Sequence, residues 1–109
     1  MKSEKELKQL YKDCVDFWRI ERQIRMMQEE CAELIVAGSH YLRRRATGFE
    51  KLVEELADVQ LMLGQIKFFV GEANVQRMMD KKSNYIKAKL DARKKLKKRV
   101  RKNGNKSST

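Results

Sequence analysis

The sequence predicts an all-α fold: an antiparallel bundle of about four helices, completed by homo-oligomerisation. Three observations carry this expectation. The 109 residues include no proline and only five glycines, so the breakers that a β-fold needs at its turns are scarce. Apolar residues recur at helical spacing in four successive runs. A helical chain this short also buries a limited core, which leaves apolar surface to close against another copy.

The first helix opens at Ser3-Glu4-Lys5-Glu6, a capping box, and continues through Leu7, Leu10, Tyr11, Cys14, Val15 and Trp18. Whether it breaks near Trp18-Arg19 is open, because no Gly or Pro marks the place. A second run (Ile20, Ile24, Met27, Cys31, Leu34, Ile35, Leu42) ends in Arg43-Arg44-Arg45, cations suited to the negative end of a helix dipole. Thr47-Gly48-Phe49-Glu50 reads as a second capping box. It starts a third run through Leu52, Leu56, Val59, Leu63, Ile66 and Val70, with Gly71 as the stop. The fourth segment starts near Glu72 and carries Val75, Met78, Met79, Tyr85, Ile86 and Leu90. Residues 1–93 are expected to form the helical domain and residues 94–109 a basic, partly disordered tail.

Charge divides the same way. Residues 1–80 hold 13 Lys+Arg against 14 Asp+Glu, a net of −1, whereas residues 81–109 hold 13 against the single acid Asp91, a net of +12. Such a tail is open to three readings: a solvated helical extension, a non-specific nucleic-acid contact, or an aid to capturing a polyanionic substrate. Cys14 and Cys31 sit in helical patterns without metal-ligand spacing, and a reduced, cytoplasmic setting suits them. Met1-Lys2-Ser3-Glu4 has no signal-peptide character, and the apolar stretch Leu61–Val70 is too short to span a bilayer, so no membrane partner is expected.

Two acidic clusters interrupt the apolar stripes: Glu29-Glu30-Cys31-Ala32-Glu33 and Glu54-Glu55-Leu56-Ala57-Asp58. Each holds two acids three residues apart, on one helix face. With about 100° per residue and Glu30 at zero, its helix's apolar stripe centres near 80° and Glu33 falls near 300°. With Glu55 at zero, the stripe centres near 70° and Asp58 again falls near 300°. The inner acid of each pair thus lies at the edge of the buried face. In an antiparallel hairpin turning at Arg44–Arg45, residues whose numbers sum to about 89 face one another, so all four acids converge at one level. Such a cluster takes up protons or binds a cation, and oxygen-only ligands select a hard divalent ion, with Mg²⁺ favoured. The competing reading, surface acids in i,i+4 pairs, stays open, although basic partners are scarce and Glu50 faces another acid, Glu54.

Taken together, Glu29-Glu30-x-x-Glu33 followed by Glu55-x-x-Asp58 resembles the signature of the MazG-like all-α nucleoside triphosphate pyrophosphohydrolases, most closely their short single-domain, phage-type members. The similarity runs from about Trp18 to Leu90 and includes Gln23, Ala32-Glu33-Leu34-Ile35 and Leu56-Ala57-Asp58-Val59. The resemblance implies hydrolysis of (d)NTP to (d)NMP and pyrophosphate, for nucleotide-pool control or house-cleaning. It implies Glu30, Glu33, Glu55 and Asp58 as ligands of Mg²⁺ (Mn²⁺ as a substitute), and Glu29 as the residue that orients or deprotonates water. Lys82, with Lys81 and Asn84 behind it, matches the family's phosphate contacts, although Tyr85 stands where relatives often carry Arg. Relatives also often show Gly after the Trp, where this chain has Arg19. Phosphoribosyl-ATP is a lesser candidate substrate within the same superfamily.

Trp18 is a candidate to stack on a nucleobase, with a packing anchor as its other reading. Gln23, near 20° on the Glu30 wheel, is placed equally well to bond substrate or to finish the core edge. His40 lacks a second nitrogen or sulfur ligand and is read as an exposed helix position. Met26-Met27 and Met78-Met79 are read as packing or subunit contacts. The expected assembly is a homodimer or homotetramer. The rival from another class is a non-enzymatic helical module that binds nucleic acid through Lys81–Lys102.

Overall fold

The computed structural model describes residues 1–107 and is helical nearly throughout: α1 (Glu4–Trp18), α2 (Ile20–Leu42), α3 (Gly48–Val70) and α4 (Glu72–Ser107). The chain forms two units, Met1–Glu72 and Ala73–Thr109. Within the first, α2 and α3 pair most extensively, α3 also packs on α1, and α1 meets α2 least.

Local chemistry sets the boundaries. At α1 the anticipated capping box forms: the Glu6 amide donates to Ser3 Oγ at 3.1 Å, and the Ser3 amide donates to Glu6 Oε1 at 3.1 Å. Such a cap stabilises by about 1 kcal/mol. The break that the sequence left open falls at Arg19, with φ 72° and ψ 150°. This is backbone that glycine adopts freely and an L side chain resists.

The α2 end is closed by a Schellman pattern. The Arg45 amide donates to His40 O at 3.1 Å and the Arg44 amide to Tyr41 O at 3.0 Å, with Arg44 left-handed at φ 56°. The second capping box does not form, which corrects the sequence reading. Thr47 sits at φ 62°, left-handed, with no side-chain cap bond, because the hydroxyl reaches the first-turn amides only from extended backbone. Gly71 ends α3 as expected, at φ 99°, its amide donating to Lys67 O at 3.0 Å.

The core is small. Among the described residues Val15, Ala37, Val59 and Met62 are the buried apolar side chains. Gly64 lets α3 approach α1 closely: the Tyr11 ring occupies the space a Cβ would need. Gln23 and Gln65 are also buried, and Gln23 Nε2 donates to Gln65 Oε1 at 2.6 Å across the α2–α3 seam. Gln65 Nε2 in turn reaches Leu61 O at 3.3 Å, so the pair satisfies its polar atoms inside the seam.

α4 is one helix of 36 residues and passes residue 94 without a break. The boundary between the two units falls at Glu72/Ala73. Asn103–Ser107, expected to be disordered, is helical, and the last two residues of the anticipated tail lie outside the described residues. Lys, Arg, Leu and Ala favour the helix. Against it stand like-charge i,i+4 pairs such as Lys94/Lys98, Lys95/Arg99 and Lys98/Lys102, each destabilising by about 0.2–0.5 kcal/mol.

The Arg19 backbone generates a direct prediction. Arg19→Gly relieves the strained φ and is expected to stabilise the protein by about 1–2 kcal/mol, read as a higher urea midpoint by circular dichroism. An unchanged or lower midpoint would refute the strain.

Candidate metal centre between α2 and α3

The five-residue connection Arg43–Thr47 folds α3 back along α2. The register follows from the Gln23–Gln65 bond, whose residue numbers sum to 88. Glu30 opposite Asp58 and Glu33 opposite Glu55 share that sum, so the hairpin sets the acids of one helix level with those of the other.

The side chains meet accordingly. One carboxylate oxygen from each of Glu30, Glu55 and Asp58 lies within 4.8 Å of the other two. Glu55 is buried at 8% exposure, and Glu30 and Asp58 are half-buried. Glu33 is exposed and lies outside this triangle, yet its carboxyl is close enough to push both Glu30 and Glu55 upward. Glu29 is exposed beside the cluster in sequence.

Two features strain this arrangement. Oε2 of Glu30 and Oε2 of Glu55 are buried without a hydrogen-bond partner. Burial, followed by the negative charges of Glu33 and Asp58, pushes the Glu30 carboxyl above its ordinary range. Burial likewise raises Glu55, followed by the neighbouring carboxyls of Glu33 and Asp58, while Lys51 pulls weakly the other way. Native proteins rarely leave buried oxygens orphaned, and an all-oxygen donor set of three or four carboxylates fits a hard divalent cation. A shared proton is the alternative way to relieve the same strain.

Beside the cluster, a groove of about 340 Å³ is lined by Ala32, Glu33, Val36, Ala37, His40, Lys51 and Glu55. Of its residues, Lys51 escaped the sequence reading and His40 was read differently. His40 is half-buried in the groove wall and not a plain exposed position. Lys51 presents an ammonium one turn before Glu55 and also pairs with Glu54 at 3.7 Å. The available signal was spacing: Lys51 is four residues before Glu55, and His40 seven after Glu33, each on the face of its acid.

Each remaining candidate has its own surroundings. Gln23 is 3% exposed with its amide bonded to Gln65, the core-edge alternative of the two foreseen for it. Trp18 is 42% exposed, stacks edge-on against Phe17 with centroids 5.1 Å apart, and carries the Arg22 guanidinium 5.3 Å from its centroid. It lines a separate apolar groove with Leu10, Cys14 and Phe17. Lys81, Lys82 and Asn84 are exposed on α4. Cys14 and Cys31 are free thiols, burial raising that of Cys14, and among the described residues no helix is long and apolar enough to cross a membrane.

The fold and site therefore define a class: an all-helical protein with a carboxylate cluster clasped between two antiparallel helices. Comparison of the chain with known protein families, with curated proteins and with solved structures found no match.

The raised carboxyls fix the sign of a pH effect. Glu30 and Glu55 hold protons more tightly in the fold than in the unfolded chain, so their contribution is fully present below about pH 4.5, the ordinary value. It is lost as pH rises through the elevated folded values. In EDTA the melting temperature should fall across that window, and Glu55→Gln should flatten the fall. A thermal-melt series that rises over the same range in EDTA would contradict the raised values.

Proposed function

We propose that this protein is a Mg²⁺-dependent nucleoside triphosphate pyrophosphohydrolase, converting (d)NTP to (d)NMP and pyrophosphate in the service of nucleotide-pool control or house-cleaning. The observation that carries the reading is the convergence of Glu30, Glu55 and Asp58 within 4.8 Å, with two buried orphan oxygens. The MazG-like motif across Glu29–Glu33 and Glu55–Asp58 supplies the reaction class.

Glu30, Glu33, Glu55 and Asp58 would hold Mg²⁺, with Mn²⁺ as a substitute. When bound, the ion supplies charge neutralisation to the phosphate oxygens. The chain's own residues do the rest. Cleaving the α–β anhydride consumes one water: its hydroxyl goes to one phosphorus, and the bridging oxygen leaves on the other phosphate. Glu29, exposed and one residue from Glu30, orients that water and takes the proton it releases. Lys51, in the groove wall, attracts the triphosphate and positions it. Lys82, Lys81 and Asn84 are the family-type phosphate contacts, and Trp18 is the candidate stacking surface for the base.

Homo-oligomerisation belongs to the same proposal. Phe17 is 77% exposed, Ile35 72%, Leu42 81% and Phe49 64%, more large apolar surface than a helical monomer of this size leaves to water. Light scattering is expected to give the mass of a dimer or tetramer, and a monomeric mass would remove this part of the reading.

The deciding assay incubates the protein with Mg²⁺ and a panel of canonical and deoxynucleoside triphosphates plus phosphoribosyl-ATP, detecting pyrophosphate. Glu30→Gln and Asp58→Asn should each lower turnover by about 10²-fold or more with helicity retained. Lys51→Ala should raise KM more than it lowers kcat. No Mg²⁺-dependent pyrophosphate release across the panel would overturn the proposal.

A further inference from the structure

Beyond Lys81, Lys82 and Asn84, the α4 helix carries a second chemistry that does not depend on the hydrolase reading. Residues 81–102 hold twelve Lys+Arg and one acid, Asp91, and from residue 92 to the end of the chain no carboxylate side chain follows. Asp91 is engaged on α4 itself, by Lys87 Nζ at 2.8 Å. Every described side chain from Lys81 to Gly104 except Asp91 is exposed. The segment spans about 33 Å at 1.5 Å per residue.

The angular distribution of these cations selects the partner. Lys95, Lys98, Arg99 and Lys102 line one shallow groove on a single face of the helix. At about 100° per residue, Arg93 and Lys97 fall on the opposite side, with Val100, and Lys94, Leu96 and Arg101 fall between. Positive charge therefore surrounds the rod. A helix lying on an anionic membrane needs cations on one face and a continuous apolar face on the other, and here Arg93 and Lys97 interrupt the apolar side. A rod charged all round fits a trough with phosphates on both walls. The major groove of B-form DNA is about 12 Å wide, admits a helix of about 10–12 Å diameter, and repeats every ~34 Å. The major groove of A-form RNA is too deep and narrow for this. Tyr85 is the only aromatic side chain on α4, so no stacking platform for single strands accompanies the charge.

We propose that the α4 segment Lys81–Lys102 binds duplex DNA without sequence preference, lying in the major groove between the two phosphate walls. About six phosphate contacts give a slope of log K against log salt near −5, so affinity falls by roughly 10³-fold between about 50 and 200 mM NaCl.

The test uses the full chain and fluorescence anisotropy, in EDTA so that hydrolysis plays no part. The probes are labelled DNA duplexes of two unrelated sequences, an RNA duplex and a DNA single strand, beside phosphatidylserine/phosphatidylcholine vesicles followed by co-sedimentation. The two DNA duplexes should bind alike and more tightly than RNA, single strand or vesicles. Methyl green, which occupies the major groove, should displace the protein, and netropsin, which occupies the minor groove, should not. Lys94→Gln/Lys95→Gln/Lys98→Gln/Arg99→Gln should keep its helicity and make the salt slope shallower by about 3–4. Changing the same lysines to Arg should preserve the slope. Equal or tighter binding to vesicles, RNA or single strand, a slope untouched by the quadruple change, or displacement by netropsin alone would each overturn the proposal.

Discussion

The register of the α2–α3 hairpin is the constraint from which the rest of the first unit follows. A five-residue connection leaves little freedom in how two 23-residue helices can align. The buried Gln23–Gln65 bond then penalises a slip in either direction, because a shifted register would leave amide groups without partners in the seam. The same alignment that satisfies the two glutamines sets Glu30 against Asp58 and Glu33 against Glu55. A bond that looks purely structural thus fixes where the acids meet.

That meeting is unfavourable in itself. Burial and mutual repulsion raise Glu30 and Glu55 together, and two of their oxygens have no partner. A core of four buried apolar side chains has little stability to spare for such a defect. Surface acids serving solubility alone would sit opposite the apolar stripe, where they cost nothing. Acids kept at its edge are better explained by a ligand that binds the folded state and offsets their cost, stabilising it by mass action.

The legible part of the fold was the part governed by pattern. Helical periodicity, the Ser3 box, the Gly71 stop and the opposing acids are all consequences of residue type and spacing. The illegible parts share a cause: backbone or packing that overrides residue type. Arg19 and Thr47 hold positive φ without being glycine, so the α1–α2 break carried no marker and the Thr47 hydroxyl never reached its amides. Gln23 could not be assigned, since its partner Gln65 lies 42 positions away and no local rule connects them. On α4, small polar residues suggested disorder from Asn103 onward, whereas the helix, uninterrupted by proline, runs on to Ser107.

The two concentrations of charge also limit what the chain can do alone. The first eighty residues carry a net of −1 and the remainder +12. Even complete internal pairing would leave the chain an excess of eleven positive charges. In water that excess is met by small counterions, and by none that relieve the repulsion between Lys94, Lys98 and Lys102 for long. A polyanion with closely spaced phosphates replaces many such ions at once and returns condensed counterions to solution, an entropic gain that one free nucleotide matches poorly. The acid cluster presents the opposite chemistry, oxygen atoms within a few ångströms that a single compact cation would match. No one ligand matches both, so the proposed metal ion and the proposed duplex would be separate partners.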